Sequence, residues 1–299
     1  MASDAFTMIV SYLRDNVNLD EPGLSALELR ERMDSMTGSM PGPDGVTFEA
    51  VEVSGVAALW VRPDGAVSDA ALLYFHGGGY VLGSPETHRN ITAQLAQRLG
   101  CAVLSVHYGL APERPHPAAV DDATAAYRWL LAHGFIPGRI AIAGDSAGGG
   151  LTLALLLKLR DEGVPLPAAA APISPWTDLT LTSETMRTMA DQDPMCNGAG
   201  LGRMAAWFVG DGDYEDPYVS PIFGDATGLP PLLIQVGEIE TLRDDAVGFG
   251  AVAVAAGVDC TVEVVPEMVH VFQAFAGVVP EADAALDRIA TFLRSHMEL

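Results

Sequence analysis

Ser146 lies in Gly144-Asp145-Ser146-Ala147-Gly148, a G-x-S-x-G pattern between a short apolar run and a Leu-rich run of helical character. A serine hydroxyl is a weak nucleophile at neutral pH. To attack a carbonyl it needs a positioned base, an acid to orient that base, and donors for the developing negative charge. Flanking glycines suit a turn too tight for side chains, with the hydroxyl raised above a sheet and a helix N-terminus beside it. The pattern is short. With 31 glycines in 299 residues, roughly 0.15 matches are expected by chance. The plain alternative for Ser146 is a small residue in a glycine-rich strand-to-helix turn, so the rest of the chain must decide.

Candidate donors come first in the chain. His76-Gly77-Gly78-Gly79 follows the apolar run Ala70–Phe75. Glycines there let backbone N–H groups approach a substrate closely. Gly78 and Gly79, with Ala147 just past the serine, are the expected oxyanion donors, and His76 is expected to brace the loop. A merely flexible turn would have no reason to stand at a strand end ahead of a G-x-S-x-G.

For a serine on such an elbow, the acid and then the histidine follow later in the chain. His270, in Pro-Glu-Met-Val-His-Val-Phe, follows the last apolar run and is the expected base. His296 lies in the final helical stretch, and His88, His107, His116 and His133 stand in the wrong order. Four carboxylates compete for the acid after the run ending at Val236: Glu238, Glu240, Asp244 and Asp245. The two aspartates would open a helix, where acids are favoured for reasons unrelated to catalysis. Pattern alone does not choose between the two glutamates.

The elements that must position these groups are legible in outline. VTFEAVEV and AALWVRP, around Ser54-Gly55, predict an antiparallel hairpin. Short apolar strands are then expected at 70–75, 102–107, 139–143, 168–173, 232–236 and 261–265. Between and after them, helices are expected at 87–99, 119–132, 244–256 and 281–295. Asp121 and Asp122 favour the second of these by lying near its positive end. This alternation predicts a mostly parallel sheet covered on both faces. Residues 1–45 read as a helical appendage too short to hold a core. Phe6, Ile9, Val10 and Leu13 form one face of it, Leu24, Leu27 and Met33 another, with Pro22 near the second opening and a breaker-rich linker at 38–45. Residues 176–217 lose the strand rhythm and predict a second helical insert carrying Met186, Met189, Met195 and Met204.

Composition narrows the function classes. Hydrophobic residues make up 49% of the chain, enough for a large core. The net charge of −23, with Lys158 the only lysine, makes nucleic acid and anionic membranes poor partners. No apolar run has the length of a membrane span. The N-terminus, with its early acid and no basic leader, predicts a cytoplasmic protein. Cys101, Cys196 and Cys260 are far apart and fit no metal spacing, so they read as reduced, structural thiols.

HGGGY, YGLAPE, GDSAGGG, GEIETLRDD and VHVF, in this order, resemble the hormone-sensitive lipase family, the bacterial group of serine carboxylesterases with an α/β-hydrolase fold. The resemblance runs from about Val46 to the C-terminus. It implies an α/β fold with about eight mostly parallel strands, helices on both faces and a small helical cap. Residues 46–299 would be the catalytic domain, and residues 1–45 with an insert at about 177–215 would form the cap over an acyl pocket. By the family's G-x-x-D-x-L-x-D pattern the acid is Glu240, a glutamate where aspartate is commoner, with Leu242 and Asp244 matching downstream. A second departure is His107 and Gly109 where the family usually has Asp and Arg, for which a local rearrangement is expected. The implied activity is hydrolysis of short- to medium-chain carboxylic esters by Ser146, His270 and Glu240. No metal or organic cofactor is implied, and a homodimer through an exposed sheet edge is. The same machinery could serve amides, formamides or thioesters. A non-catalytic small-molecule receptor on this fold loses its histidine, whereas His270 is present.

Overall fold

In the computed structural model, which describes residues 2–16, 23–37 and 42–299, one eight-stranded sheet runs through the chain. Its strands are β1 (Val46–Val53), β2 (Val56–Pro63), β3 (Val67–Phe75), β4 (Cys101–Val106), β5 (Ile140–Asp145), β6 (Ala169–Ile173), β7 (Leu232–Ile239) and β8 (Cys260–Val269). They lie in the order β1-β2-β4-β3-β5-β6-β7-β8. The β1–β2 hairpin pairs antiparallel with β4, and the six strands from β3 on are parallel. This is the mostly parallel sheet expected from the sequence, and its hairpin is where the sequence predicted it.

Helices α1 (Asp4–Asn16), α2 (Ala26–Thr37), α3 (Arg89–Leu99), α4 (Ala118–Ala132), α5 (Ala147–Asp161), α6 (Thr185–Thr188), α7 (Gly198–Val209), α8 (Arg243–Ala255) and α9 (Pro280–Met297) complete the architecture. The central strands are mostly apolar because both their faces are covered. Side chains alternate between two cores. Ala71, Leu73 and Phe75 of β3 with Ile140 and Ile142 of β5 meet α4, α5 and α8 on one face. Ala70, Leu72, Tyr74, Ala141 and Ala143 meet α3 and α9 on the other. Each fully buried Leu or Ile contributes about 1.5–3 kcal/mol. The two layers thus make a stiff platform for the loops at the carboxyl ends of the strands.

The two N-terminal helices do not pack as one appendage. Phe6 and Leu13 of α1 join the α3–α9 core, whereas Ala26 and Leu29 of α2 join the opposite one. The predicted second face is corrected here: Leu27 is 61% exposed, and Leu29 is the residue turned inward. Leu27 and Leu29 are two residues apart, about 200° around the helix, so they point to opposite sides. The helix begins at a capping box, with Ser25 and Glu28 each bonding the other's backbone N–H. Pro22 lies outside the described residues, as do residues 38–41 of the predicted linker. The insert is less helical than predicted: only α6 and α7 are regular, and carboxylates tie down the rest. Asp178 accepts from Thr180 and Thr182, and Asp193 from its own loop and from Thr241.

Around Gly109 the loop is held by a buried carboxylate. A side chain there would collide with the Arg114 guanidinium. Arg114 Nη1 and Nη2 instead reach Asp122 at 2.6 and 3.0 Å, and the Gly109 N–H donates to the same carboxylate at 2.8 Å. Asp122 is therefore a buried anchor for the 107–114 loop as well as an acid in the first turns of α4. His107 is exposed.

Candidate active site

Ser146 stands between β5 and α5 with φ 55° and ψ −120°, a strained conformation for a non-glycine residue. The strain is held from both sides. The Ser146 N–H donates to Ile173 O at 2.8 Å, and its carbonyl accepts from Gly150 N and Trp176 N, each at 3.0 Å. A Cβ on Gly144 would strike the Gly148 carbonyl, and one on Gly148 would strike the Phe75 carbonyl. The G-x-S-x-G glycines are thus required by close approach of the backbone.

Asp145, the variable residue of that motif, anchors a buried network below the elbow. Tyr74 Oη donates to its Oδ1 at 2.7 Å, and His88 Nε2 lies 3.3 Å from its Oδ2. Burial opposes both charges, but their attraction overcomes it, holding Asp145 below and His88 above their ordinary pKa values. His88 Nε2 is also 3.3 Å from the Gly77 N–H, so this pair connects the elbow to the glycine loop. Order along the chain ruled His88 out as the base and carried no signal of this structural role.

The glycine loop turns tightly after β3. Gly78 has φ 117° and Gly79 φ 62°, and the Gly78 carbonyl accepts from Val81 N at 3.0 Å and Leu82 N at 2.8 Å. A Cβ at Gly78 would overlap the Leu82 backbone. His76 is fully buried and stacks on Tyr108 with ring centroids 4.3 Å apart. Its Nδ1 lies 2.8 Å from Gly77 O, and Tyr108 Oη donates to His76 O at 2.7 Å. Burial, helped by His88, lowers the His76 pKa to about 3, so the ring stays neutral and serves as a brace. From the insert, Phe208 stacks on Tyr80 at 3.9 Å. From α2, Arg30 Nε donates to Val81 O at 2.7 Å. Ala147 opens α5, where the first N–H groups of a helix have no intrahelical acceptor.

His270 follows β8 and Glu240 follows β7, and the two strands are parallel neighbours. Their pairing brings His270 Nδ1 to 2.9 Å from Glu240 Oε2, with both side chains buried. Glu240 Oε1 accepts from Ser174 Oγ at 2.8 Å and from the Gly237 N–H. Burial raises the Glu240 pKa, while the His270 contact works against that rise. For His270 burial favours the neutral ring, and contacts with Cys196 and Glu240 outweigh it, so its pKa stands above the ordinary histidine value. The other three carboxylates are occupied elsewhere. Glu238 is exposed and accepts the Glu267 N–H, Asp244 accepts from Thr185 N, and Asp245 accepts from Thr177 N and Asp178 N.

Ser146, His270, Gly78 and Gly79 line one cavity of about 520 Å³. Its apolar wall draws on Met8 and Leu13 of α1, Met33 of α2, and Met195, Leu201 and Met204 of the insert. Cys196, read from sequence as a plain structural thiol, also lines this cavity, and its electrostatic interaction with the His270 imidazole helps raise the histidine's pKa. Its isolated position in the sequence, with no motif around it, offered nothing to find it by. The cavity is thus lined by a nucleophile candidate, a carboxylate-paired imidazole, a glycine-rich loop and an apolar wall.

Comparison with known proteins agrees with this chemistry. Residues 72–274 match the α/β hydrolase fold family. The chain is 46% identical over 266 residues to an acetyl-hydrolase of Streptomyces hygroscopicus, covering 89% of this chain and 87% of that one. It is 36% identical to an esterase of Acinetobacter venetianus, with 89% and 88% covered. Among solved structures it resembles an esterase from the bacterial hormone-sensitive lipase family, with TM-score 0.95, 45% identity and 99% of both chains covered. It also resembles EstE5, in a crystal soaked with p-nitrophenyl butyrate, with TM-score 0.95, 43% identity and 100% of both chains covered. The chain belongs to the α/β-hydrolase family and, within it, to the bacterial hormone-sensitive lipase family of carboxylesterases, and it is a carboxylic ester hydrolase.

Proposed function

We propose that the chain hydrolyses short- to medium-chain carboxylic esters through an acyl-enzyme, with Ser146 as nucleophile, His270 as general base and Glu240 as the orienting acid. The observation that carries this reading is the 2.9 Å hydrogen bond between His270 Nδ1 and Glu240 Oε2 beside the cavity that Ser146 lines. With the Nδ1 proton held by a buried carboxylate, Nε2 is the nitrogen free to accept a proton from a serine hydroxyl.

Ser146 Oγ attacks the ester carbonyl as His270 takes its proton. The tetrahedral oxyanion is stabilised by the N–H groups of Gly78, Gly79 and Ala147. His270 then protonates the departing alcohol, leaving the acyl group on Ser146. Water enters, gives its proton to His270 and attacks the acyl carbonyl, and the carboxylic acid leaves as Ser146 is restored.

Residues 1–45 and about 177–215 serve as the cap over the acyl pocket. Support comes from the cavity wall, to which α1, α2 and the insert all contribute. A volume of about 520 Å³ lies in the usual range of small-molecule sites, and thioether side chains adapt to ligands of different shape. The soaking of the similar EstE5 with p-nitrophenyl butyrate makes that ester the natural first substrate. A homodimer through an exposed sheet edge goes with this reading. β8 forms one edge and leaves Val264 40% exposed, and sedimentation velocity would give the oligomeric state.

The test is Ser146→Ala assayed on p-nitrophenyl butyrate. The expected result is loss of kcat on the order of 10⁶-fold with unchanged thermal unfolding. A variant turning over at the wild-type rate would overturn the proposal.

A further inference from the structure

One hydroxyl touches both loops that carry the proposed acid and base. Ser174 stands just past the end of β6 and is fully buried. Its Oγ donates to Glu240 Oε1 at 2.8 Å and accepts from the Val271 N–H at 3.2 Å. Its own N–H donates to Gln235 O at 2.7 Å, which fastens it to β7 as well. The hydroxyl is therefore used as donor and acceptor at once, between the acid and the residue directly after His270.

The backbone around this bridge is strained on both sides. Ser174 has φ 44° and Val271 φ 49°. A left-handed conformation is a real outlier for a β-branched residue such as valine. Such strain persists only where surrounding bonds over-determine it, and it concentrates at functional sites. Here the Val271 N–H of the strained turn is bonded directly to the Ser174 side chain.

The carboxylate geometry gives the bridge its purpose. The terminal torsion of a glutamate is soft, so its carboxylate plane must be set by neighbours. Two donors on Oε1, the Ser174 hydroxyl and the Gly237 N–H, leave Oε2 aimed at His270 Nδ1. A glutamate carries one more rotatable bond than the aspartate commoner in this family, so it has more freedom to remove.

We infer that Ser174 is a positioning residue for ester hydrolysis: its hydroxyl aims the Glu240 carboxylate at His270 and locks the turn that carries the imidazole. The inference rests on the triad reading above. It would act through Glu240 and His270 and would not touch substrate.

The test compares Ser174→Ala, Ser174→Gly and Glu240→Gln on p-nitrophenyl butyrate. Alanine removes the hydroxyl and keeps the strained backbone. Glycine removes the hydroxyl and suits the positive φ, so the test stands even if the alanine variant misfolds. Both serine variants should lose about 10- to 100-fold in kcat, as expected for a misaimed catalytic group, with KM changed by less than about twofold. The far-downfield proton resonance of His270 Nδ1–H should shift or broaden in both, which a packing defect elsewhere would not cause. Should Ser174→Gly keep wild-type kcat and the wild-type resonance while Glu240→Gln loses activity, the inference is wrong and the triad stands. Should Glu240→Gln itself keep wild-type activity, the triad reading falls and this inference with it.

Discussion

Glu240 Oε2 lies 2.9 Å from His270 Nδ1 inside the protein, whereas Glu238, two residues earlier, is exposed and bonded to the Glu267 N–H. Between them β7 ends irregularly, its pairing with β8 shifting register between Gly237 and Ile239. Neutral replacements should therefore separate sharply. Glu240→Gln is expected to lower kcat on the order of 10⁴-fold, because a wrongly protonated or misoriented imidazole is a poor base. Glu238→Gln should stay within about twofold of wild type, as expected for a surface change. Steady-state kinetics on one aryl ester decide it, and equal losses in the two variants would remove Glu240 from its proposed role.

The glycine loop gives a second expectation. At Gly78 a methyl group would meet the Leu82 backbone, and φ 117° lies where side chains are strained. Gly78→Ala should move the donor loop and cost roughly 100-fold or more in kcat, the scale of losing one oxyanion donor. The loss should fall mainly on kcat, because the oxyanion contact is made in the transition state. A variant with unaltered kcat would mean that Gly78 supplies no oxyanion contact.

Much of this architecture was legible because strong local signals agree with one another. The apolar runs within β3 to β6 announced a sheet covered on both faces, and the G-x-S-x-G glycines announced a turn with no space for side chains. Ser146, Glu240 and His270 stand at the carboxyl ends of β5, β7 and β8, in the order in which they occur along the chain. What escaped was set by contacts between distant segments. Leu27 and Leu29 are both good helix formers, and only packing against the sheet decides which turns inward. Which of the four carboxylates meets His270 depends on how the loops after β7 and β8 come together, which no local pattern encodes. Ser174, His88 and Cys196 belong to no extended motif, so their roles emerge only where separate loops meet.

Asp245 offers a test of how the insert is anchored. It is fully buried at the start of α8, and its Oδ2 accepts the N–H groups of Thr177 at 3.0 Å and Asp178 at 2.9 Å. Burial raises its pKa from 3.8 to about 7, against the pull of those two N–H groups. Between these values the folded chain holds a proton that the unfolded chain releases. The contribution of Asp245 to stability is thus complete below about pH 4 and is lost as pH rises through about 7. Asp245→Asn keeps an acceptor for the two N–H groups and does not titrate. Thermal unfolding of both proteins from pH 4 to 8 should show the wild type losing stability relative to the variant as pH increases. A difference in melting temperature that is constant across that range would contradict the assignment.

The central claim is that Ser146 becomes covalently acylated, and trapping it is the most direct measurement. An active-site serine phosphonate should add one phosphonyl group per chain, with loss of esterase activity in proportion. Peptide mass spectrometry should find that group on the peptide carrying Gly144-Asp145-Ser146-Ala147-Gly148, and Ser146→Ala should take up none. Stoichiometric labelling at any other residue, or full inactivation with Ser146 unmodified, would contradict the account.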